Sequence, residues 1–401
     1  VSAFQSLVIL GKATLLSDWG PRSALILTQL LYFGFLGPSD YATFAIAVTT
    51  VAAAWALVDL GLGTYALREA TAVRSGIVSP LYGFYLLSAS MVFVCFAIFS
   101  VFQARPGLQP ELGLMLACGL YLPFYAAYPD WALRGAGRLR DLALGNWTIA
   151  FVTAAPLLAA SFVPTGESRL LAAGLAFGCA PGAAALVLLL RGGLGLKPSL
   201  HLRQMPRILK GSLPLGIAGA CMSAVVPVAL YALRGSASAQ QVGLFALGVR
   251  VSAACAAAAW ALGQNGLHIL MEKPERSHEL WSRTIRVAVR LAPLLVVVLA
   301  AVVTWSSVEQ SFLALGLLLI PIYLPKYASE LVLISMRADR QRMLAGMADL
   351  VAVLVLLAFL RGWATGPAVA VLGAEAFAGA ILLVWANRMT KKNTEQRKVT
   401  M

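Results

Sequence analysis

Charge is scarce in this chain of 401 residues. Asp, Glu, Lys and Arg together make up 12% of it, about half of what a soluble domain carries. A water-exposed fold of this size is excluded on that ground. Histidine is rarer still: His201, His268 and His278 fall at or near the expected ends of apolar runs and form no ligand cluster. The five cysteines, Cys95, Cys118, Cys179, Cys221 and Cys255, lie apart inside apolar runs, with no C-x-x-C pair. They read as small packing residues, and neither a disulfide nor a metal site is expected of them. A Walker loop, a dinucleotide fingerprint and a G-x-S-x-G elbow are all missing, so no enzyme chemistry stands out and no cofactor is expected. Polar and apolar residues nowhere alternate for long, which argues against a β-barrel.

What is abundant is apolar. Hydrophobic residues are 60% of the chain and the mean hydropathy is +0.82. Apolar runs of about 20 residues recur, each long enough to cross a bilayer as a helix. Backbone groups in lipid need internal partners, which leaves an all-α bundle. Twelve spans are expected, at 7–36, 40–68, 80–103, 110–133, 142–164, 168–190, 208–234, 240–271, 284–305, 310–336, 343–361 and 366–388. With this count, 23 Lys and Arg residues fall on one side of the membrane and only Arg105, Arg169, Arg234 and Arg361 on the other. The basic side is then cytoplasmic, and so are both termini. The net charge of +14 is read as topology and contact with anionic membrane lipid, not as nucleic-acid binding. The first span is expected to act as an uncleaved anchor.

The chain also repeats itself. Tyr121–Ala126 reads Y-L-P-F-Y-A and Tyr323–Ala328 reads Y-L-P-K-Y-A. Each copy is followed at the same distance by a basic pair, Arg138 with Arg140 and Arg340 with Arg342. Ala42–Ala45 resembles Gly243–Ala246 in nearly the same register. Two tandem units of about 200 residues follow from this spacing, each with six spans. An even number of spans per unit makes the repeat parallel, and such membrane duplications commonly build transporters with a substrate site between the halves. The expected division is an N-terminal bundle at 1–192, a basic cytoplasmic linker at 193–207, a C-terminal bundle at 208–390 and a basic cytoplasmic tail at 391–401.

A charge near the bilayer centre costs about 2.5–3.5 kcal/mol on insertion scales, so it faces the interior and has a role. Lys12, Arg22, Arg250 and Lys326 are the basic residues that remain once those at the loops and span ends are assigned to the two sides. They are the candidate substrate-binding residues. Arg22 and Arg250 come from different halves and can meet across the interface, where guanidinium forks suit a pyrophosphate. The structural alternative is internal pairing at i, i+4, Asp18 with Arg22 and Lys326 with Glu330. Asp349, Glu375 and Glu330 are candidate sites for a coupling ion, H+ or Na+. Asp59 and Asp130 lie near cytoplasmic span ends and read as structural. Gly20 with Pro21, and Pro214 and Pro227, interrupt spans 1 and 7 and are candidate hinges.

Three segments carry a family resemblance. The first is Phe35-Leu36-Gly37-Pro38-Ser39-Asp40-Tyr41-Ala42-Thr43-Phe44, continuing to Asp59-Leu60-Gly61-Leu62-Gly63 and Arg68-Glu69. The second is Pro129-Asp130-Trp131 followed by Gly135 and Arg138-Leu139-Arg140. The third is Ser212-Leu213-Pro214-Leu215-Gly216 with Val242-Gly243-Leu244-Phe245. In order and spacing the chain resembles the polysaccharide-repeat (O-antigen, Wzx-type) flippases of the multidrug/oligosaccharidyl-lipid/polysaccharide (MOP) exporter superfamily. The resemblance implies two six-helix bundles forming a V around a cationic central cavity, in the bacterial inner membrane. It implies an undecaprenyl-pyrophosphate-linked oligosaccharide as substrate, moved from the cytoplasmic to the periplasmic leaflet by ion-coupled alternating access for surface polysaccharide synthesis. Polysaccharide polymerase and chain-length proteins would be its partners. Arg22 and Arg250 match the cationic cavity by span and depth. Lipid II flippases of the superfamily have two further helices that this chain lacks, and the chain is short for the family.

Other readings weighed against this one are a MATE-like drug:cation antiporter, a major-facilitator transporter, and a membrane polysaccharide polymerase or ligase. The antiporter would favour an acidic or aromatic cavity. The facilitator's basic motif is absent from 69–76, and the short loops at 103–110 and 234–240 leave no room for a polymerase's catalytic groups.

Overall fold

The computed structural model describes residues 14–69, 78–103, 109–159, 166–191, 198–199, 205–272, 308–363 and 365–400. Those residues are almost wholly helical, and among them nine helices are long and apolar enough to cross a membrane. The chain is a multi-pass helical membrane protein. The expected span at 284–305 lies outside the described residues, as does Lys12.

A π-helical turn, Leu15–Trp19, leads into α1 (Gly20–Leu36), and Gly37 at φ 81° turns the chain directly into α2 (Pro38–Asp59). Both helices have a proline in the first turn, where the missing N–H is no loss. Next come α3 (Leu62–Glu69), α4 (Val78–Gln103), α5 (Gln109–Gly119), α6 (Tyr121–Ala127), α7 (Asp130–Gly135), α8 (Leu139–Leu158) and α9 (Glu167–Leu190). The second half supplies α10 (Met205–Arg234), α11 (Ala239–Glu272), α12 (Val308–Leu317), α13 (Leu319–Ser335), α14 (Asp339–Phe359) and α15 (Gly366–Thr400). Helix α10 starts inside the stretch expected as linker, and α15 runs on through the stretch expected as a tail. Pro214 and Pro227 do not interrupt span 7: α10 is one continuous element through both. Gly20 and Pro21 follow directly on the π-helical turn, in a run that is helical from residue 14 to residue 36.

The repeat is visible in backbone geometry. In the first half the chain leaves α7 by a left-handed Gly137 (φ 67°), with the Arg138 N–H bonded to the Leu133 carbonyl (2.9 Å) and the Gly137 N–H to that of Arg134 (3.0 Å). In the second half Arg337 (φ 55°) does the same after α13, with Ala338 N–H to Leu333 (2.8 Å) and Arg337 N–H to Ile334 (3.1 Å). Both are Schellman caps. They align at a shift of 200, whereas the Y-L-P motifs align at 202. The two residues are absorbed at Pro129, which breaks the first copy between α6 and α7 and holds Tyr128 extended (φ −97°, ψ 92°). A residue before proline avoids helical geometry, and α13 has no proline at that point. Arg138 and Arg340, expected to correspond, are therefore not equivalent; Arg140 and Arg340 are.

Packing falls into two sets joined by a common seam. In the first, α9 lies on α8, α6 and α5, with α1 on α8 and α4 on α6. In the second, α10 lies on α14, α11 on α12 and α13, and α15 on α14 and α13. Across the seam α2 packs on α10 and α11, and α1 packs on α11. Span 1 touching span 8 and span 7 touching span 2 are exchanged by the repeat, so the seam has a pseudo-twofold character.

Small residues let the seam close. The turn from α2 to α3 uses Leu60 (φ 43°) and Gly61 (φ 73°), with the Asp59 carboxylate accepting the N–H groups of Gly61 (3.1 Å) and Gly63 (3.0 Å). A Cβ on Gly61 would lie 2.5 Å from the Gly216 nitrogen and 2.5 Å from the Ser212 carbonyl oxygen of α10. Gly61→Ala is therefore expected to lower thermal stability by about 1–3 kcal/mol, the usual cost of overpacking. A shift in the unfolding temperature of the purified chain checks this, and an unchanged value would contradict the backbone-to-backbone seam.

Candidate functional site

Among the described residues the seam carries a half-buried cation held by neutral groups. Arg250 projects from α11. Its Nη1 donates to Gln29 Oε1 of α1 (3.1 Å) and its Nη2 to the Ala45 carbonyl of α2 (3.2 Å). The guanidinium lies 5.8 Å from the Phe44 ring centre, within cation–π reach. Tyr41, fully buried, donates its hydroxyl to the same Gln29 oxygen (3.3 Å). Arg250 Nε is buried without a partner. Among the described residues no carboxylate pairs with this side chain. An amide, a backbone carbonyl, a phenol once removed and an aromatic face position the charge without cancelling it.

Arg22 lies seven residues before Gln29 on α1, hence on the same face and about 10 Å along the axis. Its side chain is 30% exposed and stands 3.8 Å from Asp18. Asp18 is itself fully buried and belongs chiefly to Arg134: Nη1 reaches Oδ2 at 3.1 Å and Nη2 reaches Oδ1 at 2.5 Å. Ser17 donates to the same carboxylate (2.8 Å). Arg134, read from sequence as a loop cation, is 8% exposed and sits in α7. The signal that points to it is Asp18 itself, an acid inside the first span that needs a partner. Arg22 and Gln29, the partner of Arg250, thus share a face of α1, while the two arginines engage different groups. Gly20 packs on Trp147, which lies 2.8 Å from where a Cβ would be.

The other expected residues gather inside the second half. Lys326 of α13 is 2% exposed. Its ammonium bonds Asp349 of α14 (2.7 Å) and Glu375 of α15. Tyr323 donates to Glu375 (3.5 Å). The i, i+4 partner expected for Lys326 is not the one it takes: Glu330 accepts instead from Arg342 Nη2 (3.1 Å) and Nε (3.2 Å). Side-chain reach to neighbouring helices wins over helix spacing here, because a fully buried ammonium is satisfied better by two carboxylates than by one. Arg342, also read as a cytoplasmic cation, is 7% exposed.

A cavity of about 160 Å3 lies within the first half, lined by Trp55, Asp59, Tyr85, Tyr125, Asp130 and Trp131 among others. Tyr85 bonds Asp59 and Tyr125 bonds Asp130 (3.2 Å). Neither Arg22 nor Arg250 lines it. Gln29 and Tyr41, which define the setting of Arg250, were not singled out from sequence, although a glutamine in an apolar helix is a signal of the same kind as a buried charge.

No family model matches the chain, and no curated protein matches it. Solved structures do. An Asp-to-Asn mutant of the Vibrio cholerae MATE transporter VcmN is similar at a TM-score of 0.66 and 14% identity, over 97% of this chain and 98% of that one. An outward-facing multidrug resistance MATE family transporter of the MOP superfamily is similar at 0.63 and 13%, over 97% and 96%. An inward-facing conformation of a multidrug resistance MATE family transporter of that superfamily gives 0.58 and 12%, over 98% and 96%. At such identities the likeness is one of fold: the chain has a MATE-like fold.

Proposed function

We propose that the chain is a flippase for an anionic, lipid-linked oligosaccharide. It carries an undecaprenyl-pyrophosphate-linked repeat unit from the cytoplasmic to the periplasmic leaflet of the bacterial inner membrane by alternating access. In this reading twelve spans form two six-helix bundles, at 1–192 and 208–390, with both termini cytoplasmic. The observation that carries it is Arg250: a guanidinium at the junction of the halves, positioned by neutral acceptors and not neutralised. Such a group attracts an anion, and its fork fits two phosphate oxygens. Arg22, two turns along the same face of α1, is the second contact. Four of the acids are spent on cations of the chain, Asp18, Asp349, Glu375 and Glu330 being engaged by Arg134, Lys326 or Arg342, whereas Asp59 in the first-half cavity is held by Tyr85 and two backbone N–H groups.

The second reading is a MATE-like drug:cation antiporter, favoured by the names of the structural neighbours and by the aromatic, acid-lined cavity of the first half. Reconstitution separates the two. Liposomes containing the protein are assayed for movement of a fluorescent polyprenyl-pyrophosphate sugar and of a cationic dye. Transport of the first alone supports the flippase; transport of the dye alone sinks it.

Gln29→Glu offers a sharper test of the charge argument. A glutamate there would form an ion pair with Arg250 and cancel its charge, with little change in shape. Transport is expected to fall by at least about tenfold, the equivalent of one charge-assisted hydrogen bond, while the unfolding temperature stays level or rises. Unchanged transport by a Gln29→Glu protein would show that the free charge of Arg250 is not used.

A further inference from the structure

The cluster on α13, α14 and α15 has an arrangement whose consequence concerns the coupling ion. Two carboxylates from neighbouring helices converge on one point, and that point is occupied by the ammonium of Lys326. This is the geometry by which a small cation is held between acids, with the cation supplied by the chain. The charges do not balance, however. Asp349 and Glu375 bring two negative charges and Lys326 one positive. The adjoining Glu330–Arg342 pair is neutral as a unit. Among the described residues the remaining titratable groups near the cluster are Tyr323 and Tyr327 on α13 and Cys221 on α10, all neutral in their ordinary state. Asp349 Oδ1 is buried, with no hydrogen-bond partner, on a residue that is fully inaccessible. A buried acceptor oxygen left empty beside one unbalanced charge is costly.

We infer that this cluster binds a single proton, at Asp349, and no alkali cation, because Lys326 already fills the cation position between Asp349 and Glu375. The proton bonds to the open carboxylate oxygen of Asp349, and its charge brings the cluster to neutrality. Binding neutralises the interior of the second half, and release restores a net negative charge. The inference rests on the alternating-access transport proposed above and adds the ion that is coupled to it. Lys326 is thereby a resident counter-ion rather than a substrate contact.

The first arm of the test needs no substrate, so its outcome is independent of whether the cargo is a lipid-linked sugar; the second uses whichever cargo the liposome assay above shows to be moved. Unfolding temperatures of the purified full chain are compared in sodium chloride and in choline chloride of equal strength. The wild-type protein is expected to give the same value in both. Lys326→Ala vacates the position between the two acids. It is expected to unfold at lower temperature in choline, and to recover by about 2 °C in sodium as the free ion takes the vacated place. Should that variant fail to insert, Lys326→Gln keeps one hydrogen bond and is measured instead. Sodium-specific stabilisation of the wild-type protein would overturn the inference, and so would a folded Lys326 variant indifferent to sodium. In liposomes, an imposed pH gradient is expected to change the wild-type rate several-fold and an imposed sodium gradient to leave it unchanged. Asp349→Asn is expected to abolish the response to pH. A wild-type response to sodium alone would contradict the assignment.

Discussion

Arg250→Ala is expected to reduce transport by about 30-fold to several-thousand-fold while leaving the protein inserted and folded. Truncating one side of a desolvated, hydrogen-bonded charge contact costs about 2–5 kcal/mol, which is where that range comes from. The folded state should tolerate the change because nothing charged is left behind: Gln29, Tyr41 and the Ala45 carbonyl are neutral and can bond to each other or to water. Arg250→Lys should retain part of the activity, since an ammonium keeps the charge but loses the fork and the stacking on Phe44. Measured initial rates in liposomes, with insertion checked separately, decide the matter. Full activity in Arg250→Ala would remove the main support for an anionic substrate.

Arg134→Ala is expected to do the opposite, lowering stability more than any cargo-specific property. It removes the two-pronged partner of Asp18, which is fully buried in the π-helical turn and stands 3.8 Å from Arg22. Breaking a buried ion pair from one side costs about 3–5 kcal/mol, whereas replacing both partners by apolar residues is often neutral. Arg134→Ala should therefore insert poorly and unfold early, and the double variant Asp18→Leu/Arg134→Met should regain most of the loss. Thermal unfolding of the single and double variants in the same detergent gives the coupling between the two sites. Purely additive losses would mean that the pair is not the unit described.

Much of the architecture could be read in the chain because lipid enforces it. Apolar runs such as 80–103 and 168–190 have one way to satisfy their backbone, and the helices found there, Val78–Gln103 and Glu167–Leu190, follow the runs closely, whereas the run at 40–68 is broken after Asp59. The tandem repeat was legible for the same reason that it is incomplete. The Y-L-P motif and the Schellman turn after it are both retained, but Pro129 slides one copy by two residues, and only coordinates reveal that. Charges were legible singly and not in pairs. Asp349, Glu375 and Lys326 each stood out as buried, yet the triad joins three helices 23 to 49 residues apart, and spacing along one helix pointed to Glu330 instead. Arg134 and Arg342 were counted with the cytoplasmic loops because they lie close to span ends. They are buried because a short terminal helix and a helix start fold back over acids lying beneath them. Arg250 was found from sequence by its depth alone; its distinguishing property, neutral surroundings, belongs to the fold.

The account stands on the cargo being an anionic lipid-linked oligosaccharide that crosses from the cytoplasmic leaflet. The most direct measurement is to deplete the protein in its host and assay the lipid-linked oligosaccharide pool leaflet by leaflet. Accumulation of the pyrophosphate-linked unit on the cytoplasmic face, with surface glycan lost, is the predicted result. A pool unchanged in amount and sidedness would contradict the account and favour export of a small molecule, and accumulation of single units on the periplasmic face would contradict it in favour of a polymerase or ligase.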